Sequence, residues 1–412
     1  MACWGEPRER GAPRPSPWRH FLGEVPLISE YNKAIVPQYS RNQVDKAGDI
    51  LCQSPPENGE YTIERVDGEI WAYDVLSNWR ACHNYPINTF QATLRDRLQT
   101  IDSNATVAQR LKRYPSIVLK LRRFHGMKLA RMQDIGGLRA IVDTVSHVRE
   151  LEKLYREPTP SFRHQLVSSK DYIGQPKTDG YRSVHLVYRY QNARTPAYNG
   201  LQLELQLRSR LQHAWATAVE TMGTFLGQAL KSGYGDQQWR AFFGVSSAAL
   251  AHLEKSPSVP GYENLNDMQT FEAVAHAEQE LRVLDKLRGF SIAAGNIRYE
   301  KGQGSYHLIV LNSVDRSVSI TAYAQSKLEQ ANIDYTEIEK RSKAGESVEA
   351  VLVSAGPVEA LKKAYPNFFL DTHGFILEIE RVIALANKSL PVRKRPILVR
   401  RRVRLRSAKK KK

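Results

Sequence analysis

Residues Leu201–Arg208 read LQLELQLR, the cleanest two-residue alternation in the chain. Leu201, Leu203, Leu205 and Leu207 fall on one side, and Gln202, Glu204, Gln206 and Arg208 fall on the other. Successive side chains of a strand point to opposite faces, so the spacing predicts a strand with one face in a core and the other lining something polar. Just upstream, Lys170–Tyr188 reads KDYIGQPKTDGYRSVHLVY. Gly174, Pro176 and Gly180 mark a loop, and the alternating Val184, Leu186 and Tyr188 predict the strand that leaves it. The loop gathers lysines, an arginine, tyrosines and a histidine at the mouth of a sheet. Cations beside an aromatic ring suit a ligand that carries both phosphates and a base.

Outward from these two strands the pattern alternates between helix and strand. A helix is predicted from Ser209 to Leu230, with Leu211, Trp215, Ala218 and Met222 as a packing stripe. Upstream, QDIGGLRAIVD places Gly136 and Gly137 as a turn feeding a strand through Leu138, Ala140 and Val142, and Phe162–Val167 reads as another strand. Three helices precede these: Ser40–Leu51, Ile70–Cys82, and Asn88–Ile101 with Asn88 as its N-cap. After the turn-rich SPSVPGYENLND, residues 256–267, one helix should carry Val274, Ala277, Leu281, Leu284 and Leu287. Beyond Gly302 and Gly304 come strands SYHLIVLN and SVSITAY, a helix with Leu328, Ala331, Tyr335 and Ile338, a strand VEAVLVSA, and a helix with Val358, Leu361 and Tyr365. The expected division is a disordered 1–24, a main unit over 25–252, a linker and connecting helix over 253–287, a small α/β unit over 288–387, and a basic tail over 388–412. The expected fold class is α/β, of the α+β kind.

At 412 residues the chain is long enough for two or three such units. No apolar run approaches the roughly 18 residues of a membrane span, and MACWGEPRERGAPRPSPWRH lacks the apolar centre of a signal peptide. A cytoplasmic protein is expected. Cys3, Cys52 and Cys82 are too scattered for a disulfide framework or a zinc site. The net charge is +17, but thirteen lysines and arginines with no acid fall after Asn387, leaving the rest only mildly basic. That tail is either a solvated, disordered end or an anchor on a phosphate backbone.

Familiar nucleotide motifs are absent: no G-x-x-x-x-G-K-[ST] loop occurs, and Gly302 and Gly304 lack the rest of a dinucleotide fingerprint. Asp134, at a turn entering one strand, and Glu204, on the polar face of another, could share a Mg²⁺ ion if the strands are neighbours. Such an ion would neutralise triphosphate charge. Arg110, Lys112, Lys120, Arg122, Arg123, Lys128 and Arg131 supply more cations than one helix surface needs, which fits a polyphosphate clamp.

The order of these parts resembles the synthetase domain of the RelA/SpoT family, which transfers pyrophosphate from ATP to a 3′-hydroxyl. The family's R-x-K-x-x-x-S-x-x-x-K pattern is matched by Arg110, Lys112, Ser116 and Lys120, and D-I-x-G-x-R by Asp134, Ile135, Gly137 and Arg139. The acceptor loop K-D-Y-I-x-x-P-K-x-x-G-Y-x-S-x-H is matched from Lys170 to His185. E-x-Q-x-R with a later H-x-x-A is matched by Glu204, Gln206, Arg208, His213 and Ala216. The resemblance implies a nucleotidyltransferase-like mixed sheet flanked by helices over 25–252, followed by a regulatory, antitoxin-like unit.

It also implies roles. Arg110, Lys112, Ser116 and Lys120 would hold ATP, with Arg139 available to stack on adenine. Asp134 and Glu204 would hold Mg²⁺, and Glu204 would take the proton of the attacking hydroxyl. Tyr181 would stack on the acceptor base, with Lys170, Lys177, His185, Gln206, Arg208 and His213 around the acceptor. His213 could equally be a core histidine steadying its helix. Thr217 stands where members often have an acid, and Glu220 lies one turn later. The hydrolase His-Asp pair of the long bifunctional members does not occur. The flanking segments look like the stand-alone branch that includes fused toxin–antitoxin proteins of the CapRel type. The expected acceptor is then the 3′ end of tRNA, with a phage protein as trigger. The alternatives are an alarmone synthetase acting on GDP or GTP, and a non-catalytic RNA-binding module.

Overall fold

The computed structural model describes residues 35–54, 61–157, 159, 162–228, 230, 235–296, 306–312, 317–344, 346, 348–354 and 368–389. The expectations for residues 1–24, for Gly302 and Gly304, for the helix at Val358–Tyr365 and for the tail past Ser389 lie outside them. No helix among the described residues is long and apolar enough to cross a membrane.

The N-terminal helices are α1 (Arg41–Leu51), α2 (Ile63–Cys82) and α3 (Asn84–Ile101). Ser40 caps α1 through a reciprocal pair with Gln43, the arrangement that satisfies two orphan amides at once. Helix α3 begins four residues before the expected Asn88 cap. His83, between α2 and α3, keeps a right-handed helical backbone and leads straight into α3 without a side-chain cap. Pro86 falls in the first turn, where the missing amide costs no hydrogen bond.

A five-stranded sheet follows, built from β1 (Thr106–Leu111), β2 (Gly136–Val142), β3 (Gln165–Asp171), β4 (Val184–Arg189) and β5 (Gln202–Ser209). Its order is β1-β2-β5-β4-β3, with β2 and β5 parallel and the other pairs antiparallel. Gly136 and Gly137 are the first residues of β2, not a turn before it. Gly136 is needed there because a Cβ would meet Leu203 at 2.8 Å. The strand expected at Phe162–Val167 starts three residues later. Phe162 is a core plug instead, packed edge-on against Phe90, Tyr155 and Tyr188.

One face of the sheet is apolar. Leu138, Ala140, Val142, Val184, Leu186, Tyr188, Leu203, Leu205 and Leu207 are buried against α3 and α5 (Val145–Arg156) in one cluster. Each buried leucine contributes roughly 1.5–3 kcal/mol. Helix α4 (Tyr114–Arg123) lies between β1 and β2 in sequence.

Helix α6 (Arg210–Phe225) leaves β5 through a capping box at Ser209 and Gln212, and α7 (Gln237–Leu253) packs beside it. Residues 253–287 contribute α8 (Asp267–Leu281) and the start of α9 (Val283–Asn296). The single helix expected here is two. Arg282 adopts a left-handed backbone at φ 51°, and the Glu278 carboxylate accepts from the amides of Val283 and Leu284 at 2.9 and 3.1 Å, capping the second helix.

The C-terminal strands β6 (Tyr306–Asn312), β7 (Ser317–Tyr323) and β8 (Val348–Ser354) form an antiparallel sheet ordered β7-β6-β8, with α10 (Leu328–Lys343) on one face. The other face, through Ile309 and Val353, joins the core of α6, α7 and α9. A further helix, α11 (Phe368–Ser389), buries Phe375, Ile376, Ile379, Val382 and Ala386 in the same core.

Candidate active site

Strand register collects the polar residues on the second face of the five-stranded sheet. Glu204 pairs with Gly137 across β5 and β2, and Gly137 pairs with Arg110 of β1. Gln206 pairs with Arg139 on one side and His185 on the other, and His185 pairs with Lys170 of β3. Alternation in LQLELQLR therefore leads directly to the site. Arg110 sits on an edge strand, not on a helix with the other cations.

Two hydrogen-bonded groups organise this face. In the first, Lys112 Nζ and Lys120 Nζ each lie 2.8 Å from one oxygen of Asp134. Lys112 follows β1, where its amide donates to Ile135 O at 2.8 Å, and Lys120 lies one turn past Ser116 on α4. Burial alone would push the Asp134 carboxyl up, but the two ammonium groups outweigh it and hold the acid below its usual range.

The second group is a closed ring of five side chains. Arg208 Nη2 donates to Tyr181 OH at 2.6 Å and to Gln206 Oε1 at 3.0 Å. Gln206 Nε2 donates to Glu204 Oε2 at 2.7 Å, Glu204 Oε1 lies 2.9 Å from His185 Nδ1, and His185 Nε2 lies 2.7 Å from Tyr181 OH. Burial opposes ionisation of Glu204, yet His185 beside it holds the carboxyl far below its ordinary range, with the Lys120 charge contributing. Lys120 thus couples the two groups. Burial would lower His185, but Tyr181 and Glu204 raise it, and Arg208 and His185 draw the Tyr181 phenol down to about 7 against its burial.

The loop before β4 is built to hold Tyr181. Asp171 Oδ1 accepts from the amides of Ile173 and Gly174 at 3.0 and 2.9 Å, which starts the turn. Gly180 has φ +90°, and a Cβ there would meet Trp215 at 2.9 Å and Ser247 at 3.0 Å. Only glycine fits on both counts. Lys177 Nζ lies 5.0 Å from the Tyr181 ring centre and 4.5 Å from that of Tyr172. Tyr172 also packs edge-on against Tyr181 and His185, an aromatic wall that motif matching alone did not single out.

Register places Arg110, Arg139 and Lys170 on the same face, and Ser116 lies one turn before Lys120 on α4. His213 is buried in the first turn of α6. Also missed were Arg182 and Glu254, which form a buried ion pair under the loop. A lone acid at a helix end carries no local signature.

Among the described residues no group of three or more His, Cys, Asp or Glu side chains could hold a metal ion. Asp134 and Glu204 nonetheless suit Mg²⁺, which takes hard oxygen donors and is commonly held by one or two carboxylates plus substrate phosphates. Both carboxylates are held ionised and so would offer such an ion hard oxygen donors.

The match to known proteins falls on this face. Residues 109–223 match the region found in RelA/SpoT proteins. The chain carries a RelA/SpoT region. It includes β1 through α6, hence both hydrogen-bonded groups. The GTP pyrophosphokinase YjbM of Bacillus subtilis is 34% identical over 123 residues, which are 28% of this chain and 54% of that protein. The GTP pyrophosphokinase YwaC of the same organism is 30% identical over 114 residues, 26% of this chain and 52% of its own length. The chain thus spans about half the length of these curated relatives. The crystal structure of small alarmone synthetase 1 from Bacillus subtilis bound to pppGpp shares 25% identity, with a TM-score of 0.35, over 41% of this chain and 90% of that one.

Proposed function

We propose that the RelA/SpoT region is a pyrophosphokinase that moves the β,γ-pyrophosphate of ATP to the 3′-hydroxyl of a nucleotide. The observation that carries this is the pair of ionised carboxylates, Asp134 and Glu204, bracketed by Lys112, Lys120 and His185 on the polar face of the sheet. The acceptor oxygen bonds to the β-phosphorus, the bond from the α,β-bridging oxygen breaks, and AMP leaves. Arg110, Lys112, Ser116 and Lys120 bind the phosphates, and Arg139 is placed for the adenine. Asp134 and Glu204 would hold Mg²⁺, which when bound supplies charge neutralisation of the phosphates.

Glu204 takes the hydroxyl proton. His185 and Gln206 leave its oxygens with lone pairs to accept it. Its depressed pKa makes it a weak base, but a loose phosphoryl-transfer transition state relies more on positioning and electrostatics than on base strength. Tyr181 stacks on the acceptor base, with Lys170, Lys177, Gln206 and Arg208 around it.

Two acceptors are supported by different observations. The names of YjbM and YwaC favour a guanosine di- or triphosphate. Arg110, Arg113, Arg122, Arg123 and Arg131, all exposed on or near β1 and α4, favour the 3′ end of tRNA, because ATP occupies only some of them. In the tRNA reading the protein blocks translation in the cytoplasm. The packing of the C-terminal sheet and α11 on α6 supports a toxin–antitoxin role in which they restrain the enzyme until a phage protein docks. Incubation with ATP labelled on its terminal phosphate, with tRNA and GDP or GTP side by side, separates these outcomes. Label on the guanosine nucleotide alone supports an alarmone synthetase, and label on tRNA supports the toxin. Label on neither, in the full chain and in a Phe375→Ala variant that loosens α11 on α6 alike, overturns the pyrophosphokinase.

A further inference from the structure

The turn that carries Tyr181 is fastened from beneath by a buried polar cluster that reaches outside the RelA/SpoT region. The Arg182 side chain is 1% exposed and that of Glu254, just past the end of α7, is 7% exposed. Arg182 Nη1 lies 2.6 Å from Glu254 Oε2 and donates to Ser256 Oγ at 3.1 Å. Its Nε donates to Ser247 Oγ at 3.1 Å, and that hydroxyl donates to Gly180 O at 2.6 Å. The Glu254 carboxylate also accepts from the hydroxyl of Ser209 and from Gln212 Nε2, at the capping box of α6. One carboxylate therefore joins the residue after Tyr181, the last residue of the ring strand β5, and the end of α7.

Stability is a poor reason for such a pair. A buried ion pair gains little over apolar side chains of the same volume, because desolvating both charges offsets their attraction. Arg182 Nη2 is also buried without a hydrogen-bond partner, which adds to the cost. What the pair does supply is a fixed position for the Gly180–Arg182 turn, wedged between Trp215 and Ser247.

We infer that Arg182 and Glu254 are positioning residues for the acceptor, holding Tyr181 where its ring meets the base and its hydroxyl closes the ring with Arg208 and His185. This deepens the pyrophosphokinase reading and rests on it. Displacing a substrate-holding group by about 1 Å costs up to 10²-fold. Acceptor handling should suffer most, since the Lys112–Asp134–Lys120 group shares no side chain with this cluster, while Glu204 is reached only through Tyr181 and His185.

The test uses the full chain. The double variant Arg182→Met/Glu254→Leu replaces the pair by apolar groups of similar size, and Arg182→Lys keeps a positive charge opposite Glu254 but not the donor to Ser247. Expected for the double variant is a rise in acceptor KM of about 10- to 100-fold, larger than any fall in kcat at saturating acceptor, with KM for ATP within about 3-fold. Arg182→Lys should fall between it and the unmodified protein. Amide exchange of the segment 177–184 should speed up by at least about 10-fold in the double variant, as expected when a local opening becomes easier. Unchanged acceptor KM and unchanged exchange in a folded variant, Arg182→Lys included, overturn the inference, as does a loss of kcat with no change in KM. If neither the unmodified chain nor the Phe375→Ala variant labels an acceptor, the pyrophosphokinase reading fails and this inference with it, whereas an active unmodified chain whose variants keep the acceptor KM overturns the inference alone.

Discussion

The two sheets of this protein use alternation differently. In the C-terminal sheet both faces are covered by apolar side chains: Leu308 and Tyr323 pack towards α10, and Ile309 and Val353 pack into the helical core. In the five-stranded sheet one face is as apolar as these, while the other keeps Asp134, Glu204, His185, Gln206, Arg208 and Arg139 together at the price of desolvating them. Each acid there meets a basic side chain at hydrogen-bond distance, and both are held ionised. A sheet that retains a charged face inside a protein is organised for chemistry, whereas one that is apolar on both sides is organised for packing.

The sharpest way to break this contrast is to remove charge from the polar face. Asp134→Asn and Glu204→Gln should each lower transfer from labelled ATP by about 10²–10³-fold or more, the scale of losing one preorganised electrostatic group. Melting temperature should fall in Asp134→Asn, whose NH2 turns a donor towards one of the two lysine ammonium groups, and change less in Glu204→Gln, whose NH2 can face His185. Near-normal transfer in either variant would sink the two-carboxylate site.

The opposite result is expected on the packing side. Phe375→Ala empties a fully buried position on α11 and should cost about 3–5 kcal/mol of stability. Turnover per folded molecule should stay the same or rise, and a rise would support restraint of α6 by the C-terminal unit. Denaturant unfolding with transfer measured on the folded fraction reads both. A drop in turnover per folded molecule would mean that the second sheet and α11 belong to the chemistry and that the contrast is false.

Tyr181 sits where the two principles meet, with its hydroxyl in the ring and its aromatic body against the helical core. Tyr181→Ala should lose roughly 1–3 kcal/mol of acceptor binding, the scale of base–aromatic stacking. Tyr181→Phe should restore most of that affinity while leaving Arg208 and His185 short of one partner. Titration of acceptor binding checks both, and unchanged affinity in the Ala variant would return this tyrosine to packing.

How much of this was legible follows the same divide. LQLELQLR and the loop Lys170–His185 display their faces and turns locally, so the central strands, the apolar and polar faces and most of the ring could be read from spacing alone. Strand β1 could not, because TVAQRL is an edge strand with no residue fully buried and hence no alternation to detect. Phe162 misled because an isolated core plug has the composition of a strand. The α8–α9 break depends on the backbone of Arg282 and on a carboxylate reaching forward along the chain, neither of which disturbs the helical spacing of Leu281, Leu284 and Leu287. The spacing of Phe375, Ile379, Val382 and Ala386 is helical, but nothing local says that α6 is their partner. Arg182 and Glu254 are the extreme case, since they meet across 72 positions.

The smallest effect tests the electrostatic half of the contrast. Glu278 is an acid in the helical core whose bonded partners are the amides of Val283 and Leu284, not a side-chain cation. Burial pushes it up to about 7, and the two amides only partly offset this. Asp134 and Glu204 shift the other way because cations surround them. The ordinary glutamate value is about 4.3. A folded-state pKa above the unfolded one stabilises the protein fully below the unfolded value, and that contribution is lost as pH rises through the folded value. Glu278 should therefore become progressively less favourable between about pH 4.3 and pH 7, then level off. Glu278→Gln keeps an oxygen to accept from the α9 amides but cannot ionise. Its stability relative to the unmodified protein should rise across that window by on the order of 3 kcal/mol, reached near pH 8. Melting of both proteins from pH 5 to pH 8 measures it. Parallel curves would mean that Glu278 titrates normally, and a variant that loses ground as pH rises would mean that the helix N-terminus holds the carboxylate ionised as firmly as lysines do in the site.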